Sequence, residues 1–135
     1  NIDTNLRTLD YTIGVTDETS DITPSVTDPI STFYAPRDFI LQEIIVGVTD
    51  TPGTQNIICD VKINGDPDGS PDGESIFSTL PEIIPTENTS FEAGGTDGVL
   101  STTQITKGDR LDLYCTQAGT SPTGAGLKFY INATY

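Results

Sequence analysis

Apolar residues recur at every second position along several short stretches of this chain, and no stretch repeats them with helical spacing. Ile57, Cys59, Val61 and Ile63 are interleaved with Ile58, Asp60 and Lys62. Leu111, Leu113 and Cys115 alternate with Asp112 and Tyr114, and Leu127, Phe129, Ile131 and Ala133 with Lys128, Tyr130, Asn132 and Thr134. Successive side chains of a strand point to opposite faces, so each run fits a strand with one face buried. Strand-like runs cover residues 10–16, 30–34, 39–49, 56–64, 75–80, 99–105, 110–116 and 126–134. Frequent Thr favours pleated surfaces, while 13 Gly and 9 Pro deny helices any uninterrupted length. About eight short strands separated by turn clusters predict an all-β, antiparallel β-sandwich of jelly-roll-like form. With 135 residues, 34% of them hydrophobic, the chain holds one domain with one core. That domain is expected over residues 30–135.

Residues 1–29 read differently. Positions 16–29 are polar and turn-rich, with isolated apolar residues. Two readings stand side by side: a long surface loop, or an N-terminal arm that packs on a neighbouring subunit through Ile2, Leu6, Leu9 and Tyr11.

Charge narrows the function. Twenty acids against six bases give a net charge of −14, which repels phosphate backbones, so nucleic acid is not an expected partner. The absence of His removes the usual neutral-pH acid–base group and the imidazole metal ligand. No apolar run approaches the ~20 residues of a membrane-spanning helix. The sequence also lacks G-x-S-x-G, H-E-x-x-H, C-x-x-C and a phosphate-cradling glycine loop. The expectation is a protein that is not an enzyme and uses no cofactor.

The densest polar cluster is the stretch 64–74, where Asp66, Asp68, Asp72 and Glu74 sit on a Gly- and Pro-kinked backbone. Four carboxylates so close together form a weak calcium candidate. Counted from Asp66, however, Pro71 stands where an EF-hand needs Gly, and Phe77 where it needs Glu. A solvated turn accounts for the composition equally well, and no metal is expected. Cys59 and Cys115 both fall on the apolar phase of their strands and read as buried thiols. A disulfide between them requires their strands to be neighbours. Of the aromatic pairs Phe33–Tyr34 and Phe129–Tyr130, alternation places one member in the core and leaves the other exposed.

The segment T-F-Y-A-P-R-D-F-I-L-Q-E at residues 32–43 carries a resemblance. It is similar to a β-domain of tailed-bacteriophage virion proteins, in which F-x-A-P-x-x-F-x-L-x-E leads to a D-V/I-x-I/K-N-G strand and then S-I-F-S-T. An I-x-x-G-D-x-L strand and a closing G-x-G-L-K follow. The matching stretches here are 33–43, 60–65, 75–79, 105–111 and 124–128, with a longer, more acidic turn at 66–74. The resemblance implies a jelly-roll-like virion building block, as in head decoration (cement) proteins and in tail fibres or spikes, and it implies no catalytic residues. The expected role is a decoration protein on the outer capsid surface, partnered by the major capsid protein and by itself, as a homotrimer. A tail-fibre or spike module that binds a receptor glycan is the alternative. A calcium-dependent adhesin domain would rest on the 64–74 stretch alone.

Overall fold

The alternating runs become strands, and the strands close into two antiparallel sheets. The computed structural model describes residues 7–14, 17–64, 73–92 and 94–135. Among these there is no helix. The strands are β1 (Thr8–Gly14), β2 (Ser31–Tyr34), β3 (Phe39–Gly47), β4 (Ile57–Ile63), β5 (Glu74–Ser75), β6 (Phe77–Thr79), β7 (Glu82–Ile83), β8 (Val99–Leu100), β9 (Gln104–Ile105), β10 (Arg110–Gln117) and β11 (Lys128–Thr134). The front sheet has the order β1-β11-β3-β9. The back sheet runs β2-β10-β4-β5, with β7 also on β4, and β6 and β8 form a separate ribbon. The chain changes sheets at each step from β1 to β4 and again from β9 to β11. This is jelly-roll winding in a β-sandwich.

The core lies between the sheets. Leu41, Ile44 and Val46 of β3 and Phe129, Ile131 and Ala133 of β11 meet Ile57, Cys59 and Val61 of β4 and Leu111, Leu113 and Cys115 of β10, all of them buried. Each large apolar side chain removed from water in this way contributes about 1.5–3 kcal/mol. The exposed members of the aromatic pairs are Tyr34 and Tyr130, as alternation requires, while Phe129 is fully buried and Phe33 packs on the core.

Several boundaries differ from the sequence reading, each for a local reason. The run 99–105 is two short strands in different sheets, because Ser101 and Thr102 donate their N–H groups to the Ile76 carbonyl and turn the chain between them. The run 75–80 is split at Ile76, whose side chain is fully buried and whose N–H donates to the Val61 carbonyl. The strand at 126–134 starts only at Lys128, since Gly126 has a φ of +71°. The two-residue β7, between Pro81 and Pro85, is too short to leave a period.

The described residues ahead of β2 are built into the sandwich. β1 pairs with β11 along its whole length, from Thr8 opposite Thr134 to Gly14 opposite Lys128. Farther on, Ile22 is buried in the core, its N–H donating to the Gly124 carbonyl. Ser25 and Ile30 donate in turn to the carbonyls of Cys115 and Leu113. The polar segment between β1 and β2 therefore lies along the chain's own body.

The depth of Phe129 gives a direct check. Phe129→Ala is expected to lower the unfolding free energy by about 3–5 kcal/mol in urea titration. A loss below about 1 kcal/mol would mean that the two sheets do not close over this ring.

Candidate functional site

One flank of the sandwich carries both long strand edges. Just before β1 and just after β11, Arg7 and Tyr135 exchange backbone hydrogen bonds of 2.8 and 2.9 Å, which sets the phase of the β1–β11 ladder. Counting in twos, Leu9, Tyr11 and Ile13 bond to β11, so the N–H and C=O groups of Thr8, Asp10 and Thr12 point outward. Their side chains are exposed as well. On β2, Ala35 donates to the Asp109 carbonyl, which by the same count turns the backbone groups of Thr32 and Tyr34 outward. Tyr11 from β1 and Phe33 from β2 close the flank from within, their rings 5.0 Å apart. The edges of the two sheets thus lie near each other, and the Tyr34 ring is exposed on the face of β2 opposite Phe33.

An open edge is a ready template for another strand. The other described edges are short: β9, β5 and β7 have two residues each. Thr32 donates to Asp112 at 3.1 Å and Arg110 pairs with the same carboxylate at 2.9 Å, so the charges behind β2 are neutralised internally.

The outer face of the front sheet has a second feature. Thr12, Tyr130 and Ile45 stand in register across β1, β11 and β3. Gly47 lets the ring lie close, since a Cβ there would come within 3.2 Å of Tyr130 Cε2. Asn132 Nδ2 donates to Asp10 Oδ1 at 2.5 Å at the margin of this patch, and Glu43 is opposite Asn132.

The stretches that carry the phage resemblance have structural duties. Asn64, in the left-handed region at φ 53°, donates from Nδ2 to Asp109 and accepts at Oδ1 from the Arg110 N–H. Gly108 turns at φ 91°, and its N–H donates to the Ala35 carbonyl. The Lys107 N–H donates to Asp38. Three of the motifs therefore meet at one corner of the sandwich. Asp60 and Ser75 join one of these three to a fourth: the Ser75 hydroxyl donates to Asp60 Oδ1 at 2.5 Å, beside the Val61 N–H at 2.8 Å. At the closing motif, Lys128 and the Thr49 hydroxyl both bind Glu18, and together they hold its carboxyl below the usual range.

Of the residues singled out by sequence, Leu9 and Tyr11 lie in β1 with their side chains packed on the chain's own core. Ile2 and Leu6 lie outside the described residues, as do Asp66, Asp68 and Asp72. Glu74 opens β5 opposite Ile63. Among the described residues no three His, Cys, Asp or Glu side chains gather as a metal site. Cys59 and Cys115 are both buried, free thiols in the structure, and their strands are neighbours. Sequence reading missed the outward backbone groups of β1 and β2, because edge status depends on which strands pair. Comparison with protein-family models, curated proteins and solved structures finds no match to this chain.

Asp60 supplies a pH test of the knot it forms. Burial pushes its carboxyl above the ordinary 3.8, opposed by the Ser75 hydroxyl, the Val61 N–H and Lys62. A raised folded-state value means that the native protein binds the proton more tightly than the unfolded chain. Asp60 therefore subtracts stability as pH rises from about 4 through the raised value. Asp60→Asn keeps an acceptor for Ser75 and Val61, so its melting temperature should improve relative to wild type between pH 4 and pH 7. A difference that stays constant with pH would show that the carboxyl titrates normally.

Proposed function

We propose that the protein is a structural component of a tailed-phage virion, which decorates the outside of the head, binds the major capsid protein and stabilises the shell. The observation that carries this reading is the flank with two edges, β1 and β2, that no other described strand pairs, and an exposed Tyr34. Extended edges add strands to a neighbour through backbone hydrogen bonds, and an exposed aromatic at such a contact supplies the anchoring side chain. Many copies of one modest contact strengthen a shell without any single strong site. The motif resemblance supports a virion role, and jelly rolls serve in viral capsid domains as a fold-level analogy. A net charge of −14 favours the outer surface over the DNA-filled interior and speaks against binding nucleic acid. Grouping as a homotrimer follows from the resemblance, and light scattering of the free protein reports it.

A second reading rests on the Tyr130 patch. An exposed ring flanked by Asp10, Asn132 and Glu43 has the makings of a sugar platform, which favours a tail-fibre or spike module that binds a receptor glycan. Lectin domains share the jelly-roll architecture.

Thr12→Pro tests the first reading and Tyr130→Ala the second. Its N–H points away from β11, so proline there removes no ladder bond and is tolerated at an edge. The wild-type protein should co-sediment with heads that lack it and raise their rupture temperature. The Thr12→Pro variant should keep its fold by circular dichroism and lose the binding. Undiminished binding by the variant would overturn the edge mechanism. Localisation on tails, with glycan binding abolished by Tyr130→Ala, would transfer the assignment to the second reading.

A further inference from the structure

Cys59 and Cys115 are direct partners across β4 and β10, at the last regular pair before a bulge that leaves Thr116 unpaired. The phase of this ladder is set by Asn64, whose N–H donates to the Arg110 carbonyl at 2.9 Å. Counting in twos, Lys62 with Asp112 and Asp60 with Tyr114 are hydrogen-bonded pairs. Cys59 with Cys115 is then a non-hydrogen-bonded pair, like Val61 with Leu113. Four further bonds fix the same phase, because each leads away from the β4–β10 seam. The Cys59 N–H donates to the Pro81 carbonyl, and the carbonyls of Val61, Leu113 and Cys115 accept from Ile76, Ile30 and Ser25.

That phase decides whether a bond can form. Partners at non-hydrogen-bonded sites have Cα atoms about 4.5 Å apart and side chains at their closest approach. A disulfide spans Cα separations of about 4.4–6.8 Å. Both side chains are fully buried and project to the same inner face of the back sheet. The Cys115 thiol donates to the Gln117 carbonyl at 3.2 Å. The proximity of the two thiols, with burial added, pushes the Cys59 thiol up, and the same proximity pushes the Cys115 thiol down.

We infer that Cys59 and Cys115 are a cross-linking site: an intrachain disulfide between the two central strands of the back sheet, which closes a loop of about 57 residues. The oxidant is a small-molecule disulfide of the glutathione class. The Cys115 thiolate attacks one of its sulfurs, forming a mixed disulfide and expelling one small thiolate. The Cys59 thiolate then attacks the Cys115 sulfur and expels the second. The two protein thiols lose two electrons, the small disulfide becomes two thiols, and the protons released by the cysteines are taken up by the expelled thiolates. Complete burial keeps the native pair from meeting the reagent, so the bond forms while the chain folds and is afterwards shielded from reduction. This inference is independent of the virion reading.

The test is refolding of the reduced, denatured chain in a mixed glutathione buffer, followed by alkylation in denaturant and mass measurement. We expect a monomer about 2 Da lighter than the reduced chain, with no alkylated cysteine. It should melt roughly 5–15 °C above the reduced protein. The Cys59→Ala/Cys115→Ala double variant should melt at one temperature in either buffer. Two alkylated cysteines in the refolded wild type, glutathione adducts or disulfide-linked dimers would overturn the site. An oxidised form that melts no higher than the reduced one would overturn its role as a staple.

Discussion

Two central strands hold the molecule together. β10 is paired on one side with β2 and on the other with β4, and β11 lies in the same way between β1 and β3. Their inward residues, Leu111, Leu113 and Cys115 on one and Phe129, Ile131 and Ala133 on the other, are almost completely buried. Each strand satisfies its backbone groups on both sides while it contributes one face of the core. A one-residue slip of either would turn its apolar set to water and its polar set inward. Register in these two ladders is thus the constraint on which both sheets depend.

The turns then keep the ladders in place. Gly108 and Asn64 adopt left-handed conformations at the corner where the chain leaves β9 for β10 and ends β4. Asp109 donates its N–H to the Thr106 carbonyl, and its carboxylate accepts from both Thr106 and Asn64. Asp60 and Ser75 tie β4 to β5 by a buried charge-assisted bond. The sequence stretches that look most distinctive are therefore the ones that fasten corners and seams. They specify a scaffold.

Legibility follows the same division. The long strands could be read because the alternation in Ile57 to Ile63, Leu111 to Cys115 and Phe129 to Ala133 reflects a single buried face. The short strands were legible only in part: the runs 75–80 and 99–105 fall on β5 with β6 and on β8 with β9, each read as one strand, and β7 left no signal, since two or three residues hold no period and their pairing depends on distant neighbours such as Val61 and Thr79. Ile22 looked isolated in a polar stretch, yet it is the residue that seats that stretch in the core. Buried cysteines were legible from their phase, whereas their opposition across β4 and β10 required the register. The candidate flank was the least legible part. The outward backbone groups of Thr8, Asp10, Thr12, Thr32 and Tyr34 are defined by what fails to pair with them among the described strands, and no residue type signals that.

The proposed recognition uses backbone groups at the β1 edge, so amide hydrogen exchange resolved by residue tests it most directly. In the free protein the Asp10 and Thr12 amides should exchange quickly, while those of Leu9, Tyr11 and Ile13, bonded to β11, exchange slowly. Bound to capsids, Asp10 and Thr12 should become strongly protected. Asp10 and Thr12 amides that exchange as fast in the bound protein as in the free one would contradict the account.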